Sequence, residues 1–552
     1  LGALLRKYDP SLRVVILERE SFPRDHIGES QLPKIAQILD EMGAWDKVEA
    51  ANFPVKVGAT YRWGNTKGLW KLEFLPVGEF VDEVRPAKFA GQRRATAFQV
   101  DRSVYDKILL DHARELGCEV YEQVKVDEVL ASDDTVKGLK FSPQQRSLEG
   151  TSLEAKDFLV ARYFVDGSGA SGILRRKMGI EVESPTNLRN IAIWDYWQNA
   201  EWAETVGNGG TRIQVLSLEW GWLWFIPISR TRTSIGLVVP VQTFKEKGKS
   251  PEELYLEAIS AEPRVSKLTT KAQREGGVHT TNDWSYIANR IQGENWFLVG
   301  DSCGFADPIL SAGMTLAHTS ARRVAYTILE LDRGNLDPGW LKAEYDSNHR
   351  AQIRHHIRFA DFWYASNGCF TDLKENCAEI ARYAGLTLSA NDAFLWLSTG
   401  GFAGEDYTGA AQSTFRFRML MQLTEEFTGD TVPWRFPKKN EFRLNLAGAQ
   451  RVQVPIYEGG KIEPISCYRR DGKTLPLHGR YAIVFNAISR EPDGLTMLHS
   501  VREKLREQRL PTDTHGMSFI YDILESMIIE GWLTAKLNKK RPLMFAGEEA
   551  EA

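Results

Sequence analysis

Residues 295–334, NWFLVGDSCGFADPILSAGMTLAHTSARRVAYTILELDRG, carry the feature that most constrains this chain. An apolar run delivers Gly300 and Asp301 into a turn of small residues, and a long helical pattern follows. In an open α/β sheet, ligands sit beyond such a turn, and the helix N-terminus turns backbone N–H groups toward negative charge. Two further stretches join a helix and a strand through a short turn. Residues 1–20 read as helix, turn and strand, with Val14, Val15, Ile16 and Leu17 as a continuous apolar run ending at Glu18. Such a run suits a parallel strand buried on both faces. Residues 157–179 read as a strand, a glycine-rich turn at Asp166-Gly167-Ser168-Gly169, and a helix. The expected fold class is therefore α/β.

Between these units the pattern changes. "VYDKILLDHARELG" (104–117) reads as an amphipathic helix closed by Gly117, followed by a meander of strands. Residues 190–240 alternate apolar and polar positions, as in antiparallel strands. They include WGWLWFIP, residues 220–227, in which Trp220, Trp222 and Trp224 fall at alternate positions. On a strand, all three indoles are expected on one face. "WLKAEYDSNHRAQIRHHIRFADFWYAS" continues as a helix. Beyond about residue 370, segments to 430 look helical and residues 433–485 read as short strands. Two amphipathic helices and a strand-like tail follow, an order compatible with a winged helix.

With 552 residues there is material for about three or four domain-sized units. A net charge of −4 lacks the basic surplus of a nucleic-acid binder. The cysteines at 118, 303, 369, 377 and 467 contain no CxxC pair, which fits a reducing cytoplasm without structural zinc. Cys303 has no histidine partner in its own motif and is expected to be a packed small residue. The adjacent His355 and His356 point to different faces of a helix, so no metal site is expected. No apolar run reaches the roughly 18 residues that span a bilayer, and no signal peptide is visible, so neither a membrane nor a secretory role is expected.

Four stretches resemble the FAD-dependent halogenases, relatives of the single-component flavin monooxygenases. "FPRDHIGES" (22–30) resembles the family's FPR-x-x-[IV]-G-E-S signature, and "KVGATYRWG" (56–64) the segment with its catalytic lysine. "WLWFIP" (222–227) matches W-x-W-x-I-P, and "DPILSAGMTLA" (307–317) resembles the D-P-x-x-S-x-G segment beside the flavin. The resemblance covers about residues 1–365 in the right order and is only loose beyond. Leu310 stands where several relatives carry Phe, and Cys303-Gly304 where Ala-Cys or Ala-Ala is common.

The resemblance implies a glutathione-reductase-type FAD-binding fold, an antiparallel-sheet substrate domain and a C-terminal mixed helical, winged-helix-like lid. The expected division is 1–185 for FAD binding, with substrate-sheet segments near 50–100; 186–285 for the substrate sheet; 286–370 for the return of the FAD domain with its long helix; and 371–552 for the lid. The implied enzyme uses FADH2, O2 and chloride or bromide to form hypohalous acid, delivers it to Lys56, and halogenates an electron-rich aromatic substrate, free or tethered to a carrier protein. A separate flavin reductase would supply the reduced FAD. The cofactor-binding residues implied are Glu18, Arg24, Glu29, Arg102, Val126, Asp301, Pro308, Gly313 and Met314. Backbone amides of Ala312 and Gly313 would hold halide. Trp222, Trp224, Ile226 and Pro227 would form a wall that keeps the acceptor from the flavin, an indole blocking access at low entropic cost.

The family's leading strand and GxGxxG turn are not in this sequence. Leu1 would lie in the helix after that turn, and about 20 further residues would supply the strand and turn. Two other readings stay open. A flavin-dependent monooxygenase or geranylgeranyl-reductase-like oxidoreductase shares the flavin motifs but not the lysine or the tryptophan wall. A non-catalytic flavoprotein-like binding module fits the absent phosphate loop.

Overall fold

The computed structural model describes residues 1–63, 68–74, 80–81, 83–143, 158–186, 188–207, 209–283, 285–365, 435–470, 473–512 and 514–544. The chain divides into two compact units, Leu1–Cys369 with Gly459–Lys461, and Phe370–Glu458 with Ile462–Ala552.

In the first unit, the α/β part is built from parallel strand pairs covered by helices. Val15–Leu17 pairs in parallel with Glu119–Tyr121, and Phe164–Asp166 with Trp296–Leu298. The helices Gly2–Tyr8, Pro33–Met42 and Ala312–Arg333 share one core with these strands, through Leu4, Ile35, Leu39, Leu298, Val324 and Ile328 among others. The turn after Phe164–Asp166 is held by its own aspartate. Asp166 Oδ1 accepts from the Ser168 amide at 2.8 Å, and Oδ2 from the Leu174 amide at 2.9 Å. The Arg102–Glu115 helix starts on the Asp101 cap and runs into Gly117, which takes φ +91°.

The second layer is a nine-stranded sheet. Its main path runs Gln273–Arg274, Asn190–Gln198, Arg232–Pro240, Gly221–Pro227, Gly210–Leu218, Val55–Arg62 and Trp70–Glu73. His279–Asp283 and Ala97–Phe98 add to it off this path. Paired residues in a sheet point to the same face. On one face, Ile193, Leu216, Leu223, Phe225, Ile235 and Leu237 pack on Leu254, Tyr255, Ala258 and Val265 of the helices Pro251–Ala261 and Pro263–Leu268. The other face carries a row across five strands, Trp194, Gly236, Trp224, Val215 and Tyr61.

Gly236 has a steric reason to be glycine. A β-carbon there would lie 2.0 Å from the Trp224 ring. Gly236→Ala is expected to destabilise the first unit by about 1–3 kcal/mol through overpacking. In urea unfolding, the double variant Gly236→Ala with Trp224→Ala should lose less than the sum of the two single changes, because the clash disappears with the indole.

Only two of the three expected tryptophans face that side. Glu219 and Trp220 form the two-residue turn of a hairpin whose last pair is Leu218 and Gly221. Trp220 thus leaves the strand's alternation and packs with the helix-covered face, under the Lys247 amine at 4.4 Å from its ring centre.

In the second unit, the expected short strands are Glu441–Leu444, Gln450–Glu458, Lys461–Arg470 and Lys473–Pro476. They stop earlier than the composition suggested. Gly479–Arg490 is a helix, because Ile483, Val484, Ala487 and Ile488 recur at helical spacing and are buried together. The helices Gly494–Glu507 and Thr514–Ile529 and the strand Leu533–Lys536 follow in the expected order. The strand pairs back on Glu441–Leu444. The helical segments expected up to residue 430 lie outside the described residues. Among the described residues, no helix is long and apolar enough to cross a membrane.

Candidate active site

Lys56 lies on the strand Val55–Arg62, which pairs in parallel with Gly210–Leu218. Strict alternation would turn Lys56 away from Ala59 and Tyr61. The register breaks here: Lys56 pairs with Thr211 and Gly58 with Arg212, so Val57 is an extra residue. This bulge puts Lys56 on the same face as Thr211, Ile213 and Val215, which is the tryptophan face. Bulges re-aim side chains in this way and are common beside active sites. Gly58 follows because its backbone runs close to the next strand; a β-carbon would lie 2.0 Å from the Leu72 carbonyl oxygen.

The lysine side chain is 2% exposed. Its Nζ donates to the Gln31 carbonyl at 3.0 Å and to Ser311 Oγ at 3.4 Å, and lies 5.3 Å from the centre of the Phe74 ring. Burial pushes its amine down to about pH 7. A buried lysine in this state holds a substantial share of free amine near neutral pH, so it can act as a nucleophile or as a hydrogen-bond acceptor.

Ser311 is the last residue before the long helix Ala312–Arg333. It takes φ +56° and makes no side-chain cap, leaving the first amides of 22 helical residues without a capping side chain. Ala312 and Gly313 are the first two of those residues. The approach is fixed by Asp307, whose Oδ1 accepts from the Ile309 amide at 2.8 Å, and by the Ser311 amide bonded to the Pro308 carbonyl at 3.0 Å. The start of the long helix and the lysine amine therefore meet through Ser311.

Trp222 and Trp224 are both buried, with ring centres 6.1 Å apart. Trp224 Nε1 donates to Ser234 Oγ at 3.1 Å, and Trp222 Nε1 to the Tyr364 hydroxyl at 2.9 Å. Trp63, at the end of the lysine strand, meets both Trp222 and Tyr364 edge-on with ring centres 6.0 Å away. Ile226 continues the same face in register with Ser234. Pro227, expected in the same wall, pairs with Thr233 opposite Trp197 and so turns to the helix-covered face, because alternate residues of a strand point to opposite sides.

The residues expected to hold FAD fall into two groups. Arg102 Nη1 donates to the Ile27 and Gly28 carbonyls at 3.1 and 2.9 Å, which fastens the 22–30 segment, while its other nitrogens grip Asp106. Glu29 is buried beside Arg102, and burial pushes its carboxyl up to about 7, with the Ser234 and Tyr196 hydroxyls pulling the other way. Asp301 is pushed up to about 6 by burial, against the Arg102 charge. Met314 is buried one turn into the long helix, and Pro308 is half-buried at its approach. Arg24 stacks its guanidinium 4.8 Å from the Phe22 ring centre. Glu18 and Val126 form the second group. The Val124 amide donates to the Glu18 carbonyl at 2.8 Å, and Glu18 Oε1 caps the Glu20 amide at 2.8 Å. Cys303 is fully buried against the Tyr345 hydroxyl, and burial pushes its thiol up, so it is a packed residue as expected.

Buried polar atoms gather where these segments meet. The side chains of Ser30, Gln31, Gln99 and Thr315 have buried polar atoms with no hydrogen-bond partner. Ser30 and Gln99 are bridged strand to strand, Gln31 accepts from Lys56, and Thr315 lies one turn beyond Ser311. Unpaired buried polar atoms are costly and call for a polar occupant, and a flavin ring with its ribityl chain has the donors and acceptors to satisfy such a set. The sequence did not point to Gln31, Phe74 or Tyr364, although the indole at Trp63 flanked the lysine motif in plain view.

The architecture is that of the flavin-dependent halogenases. The solved halogenase CmlS matches 99% of this chain and 95% of its own with a TM-score of 0.70 at 23% identity, a likeness of fold. The myxobacterial chondrochloren halogenase CndH matches 79% of this chain and 95% of its own with a TM-score of 0.58 at 26% identity. The sequence model of the tryptophan halogenase family matches residues 2–95 and 85–369, and the chain belongs to that family. A tryptophan 2-halogenase of Chondromyces crocatus is 32% identical over 332 residues, 59% of this chain and 58% of that protein, so the match spans less than two thirds of that relative. A 1H-pyrrole-2-carbonyl-(peptidyl-carrier protein) chlorinase of Pseudomonas fluorescens is 28% identical over 373 residues, 65% of this chain and 80% of that protein.

Proposed function

We propose that this chain is the halogenating component of a two-component flavin-dependent halogenase. The observation that carries the reading is the bulge that turns the buried Lys56 onto the tryptophan face, with its Nζ against the start of the long helix. FAD, when bound and reduced by a separate reductase, supplies the activation of O2 that oxidises halide to hypohalous acid. Arg24, Glu29, Arg102, Asp301, Pro308, Gly313 and Met314 would surround its ring and ribityl chain, and Glu18 and Val126 the adenosine side. The amides of Ala312 and Gly313 would hold chloride or bromide, since an uncapped helix start attracts an anion.

The free amine of Lys56 either accepts a hydrogen bond from hypohalous acid or takes its halogen. In the second case an N–X bond forms, the O–X bond breaks and water leaves with the amine's proton. An electron-rich aromatic carbon then forms the C–X bond as N–X breaks, and its ring proton restores the amine. Trp222, Trp224 and Ile226 keep the acceptor off the flavin side while the small oxidant passes. A pyrrole or phenol is the acceptor class favoured, and the carrier-tethered substrate in one relative's name supports a carrier-bound form of it. In the domain reading that goes with this, 1–185, apart from its sheet segments near 50–100, and 286–370 bind FAD, 186–285 complete the substrate sheet, and 371–552 act as a winged-helix-like lid.

The test is turnover of the purified protein with FAD, a flavin reductase, NADH and a panel of phenols and pyrroles, free and carrier-bound, read by mass spectrometry. A halogen isotope pattern that changes when bromide replaces chloride is expected. An oxygen-added product formed equally well without halide would contradict the halogenase reading and leave a monooxygenase.

A further inference from the structure

Tyr364 closes a hydrogen-bonded chain between the tryptophan face and the approach to the long helix. It sits in the last turn of the helix Pro338–Ala365. Its hydroxyl accepts from Trp222 Nε1 at 2.9 Å and donates to Asp307 Oδ1 at 3.3 Å. An indole nitrogen can only donate and a carboxylate can only accept, so the direction of both bonds is fixed. The same Asp307 oxygen takes the Ile309 amide, two residues before Ser311, which touches Lys56. Trp63, the residue directly after the lysine's strand, meets the Tyr364 ring edge-on. One phenol thus links the strand of the indole barrier, the strand of the lysine and the turn that starts the helix.

We propose that Tyr364 is a positioning residue that locks the Trp222 indole against the Asp307 turn, so that oxidant made on one side of the barrier reaches Lys56 and does not escape around a tilting ring. The inference rests on the halogenase reading for its consequence, but the lock itself is a matter of geometry. A hydroxyl bonded on both sides is the part of Tyr364 that packing alone does not require. Trp224 has its own anchor at Ser234 and serves as the internal control.

The experiment compares wild type, Tyr364→Phe and Trp222→Phe, each grown with 5-fluorotryptophan, with the Trp222 and Trp224 signals assigned from Trp222→Phe and Trp224→Phe. In Tyr364→Phe, the Trp222 fluorine resonance is expected to shift and broaden while that of Trp224 stays in place. In the turnover assay, hypohalous acid caught by a soluble trap should rise per O2 consumed as halogenated product falls, in both Tyr364→Phe and Trp222→Phe. A packing defect alone would lower trapped oxidant and product together. An unchanged Trp222 resonance in Tyr364→Phe would overturn the inference, as would an unchanged ratio of trapped oxidant to product. A wild type that makes no halide-dependent product would instead sink the halogenase reading, while the fluorine signals would still decide the lock.

Discussion

Replacing Lys56 by methionine is expected to stabilise the first unit at neutral pH and, on the proposed function, to abolish halogenation. The two effects have one cause. Burial pushes the Lys56 amine from its ordinary 10.5 down to about 7. The folded state therefore binds fewer protons than the unfolded state between about pH 7 and 10.5, and wild-type stability rises with pH across that window. At pH 7 the cost of holding this amine in the interior is on the order of 4 kcal/mol. The bond to the Gln31 carbonyl, worth about 1 kcal/mol, offsets part of it. Methionine keeps similar length and volume and carries no charge to desolvate, so the balance favours the variant. Urea unfolding should give Lys56→Met a higher midpoint at pH 7, with the gap closing toward pH 10. A variant less stable than wild type at pH 7 would mean that the lysine is held by more than the contacts seen. On the proposed function, turnover is expected to show an acid limb with its midpoint near pH 7, since protonation of the Lys56 amine removes its lone pair.

Trp224→Ala carries the second large effect. The indole is 6% exposed, fits over Gly236 and donates to Ser234. Truncating a buried tryptophan to alanine costs about 3–5 kcal/mol, and little of that is recovered because the sheet backbone around it cannot collapse. On the proposed function it also opens the barrier. Halogenated product per O2 should fall, and products with added oxygen should appear as the acceptor gains a path toward the flavin. Trp224→Phe should retain most of the stability and most of the barrier. A fully stable Trp224→Ala with unaltered products would reduce the indole to surface decoration and remove the wall from the account.

The sequence carried the parts of this site that depend on local pattern. Alternation in WLWFIP was enough to orient Trp222 and Trp224, since a strand has only two faces. It misled at Trp220 because hairpin turns are set by the partner strand, and Leu218 is not recognisable as a partner in advance. The bulge at Val57 was invisible for the same reason: a bulge is a mismatch between two strands, and one strand read alone cannot display it. The αL backbone at Ser311 left no mark either, because it occupies a position where the chain offers no glycine. Tyr364 comes from a helix 142 residues beyond Trp222 in the chain, and its phenol had no distinguishing neighbour. The helix at Gly479–Arg490 is legible only in the spacing of Ile483, Val484, Ala487 and Ile488, not in the composition of its segment.

The most direct test separates the making of the oxidant from its delivery. Wild type and Lys56→Met are supplied with FAD, reductase, NADH, bromide and an aromatic acceptor, and both brominated acceptor and trapped hypobromous acid are measured by mass spectrometry. The expected result is brominated acceptor from wild type, and trapped oxidant without brominated acceptor from Lys56→Met. Brominated acceptor at wild-type rates from Lys56→Met would contradict it, because the lysine on the tryptophan face would then have no part in the reaction.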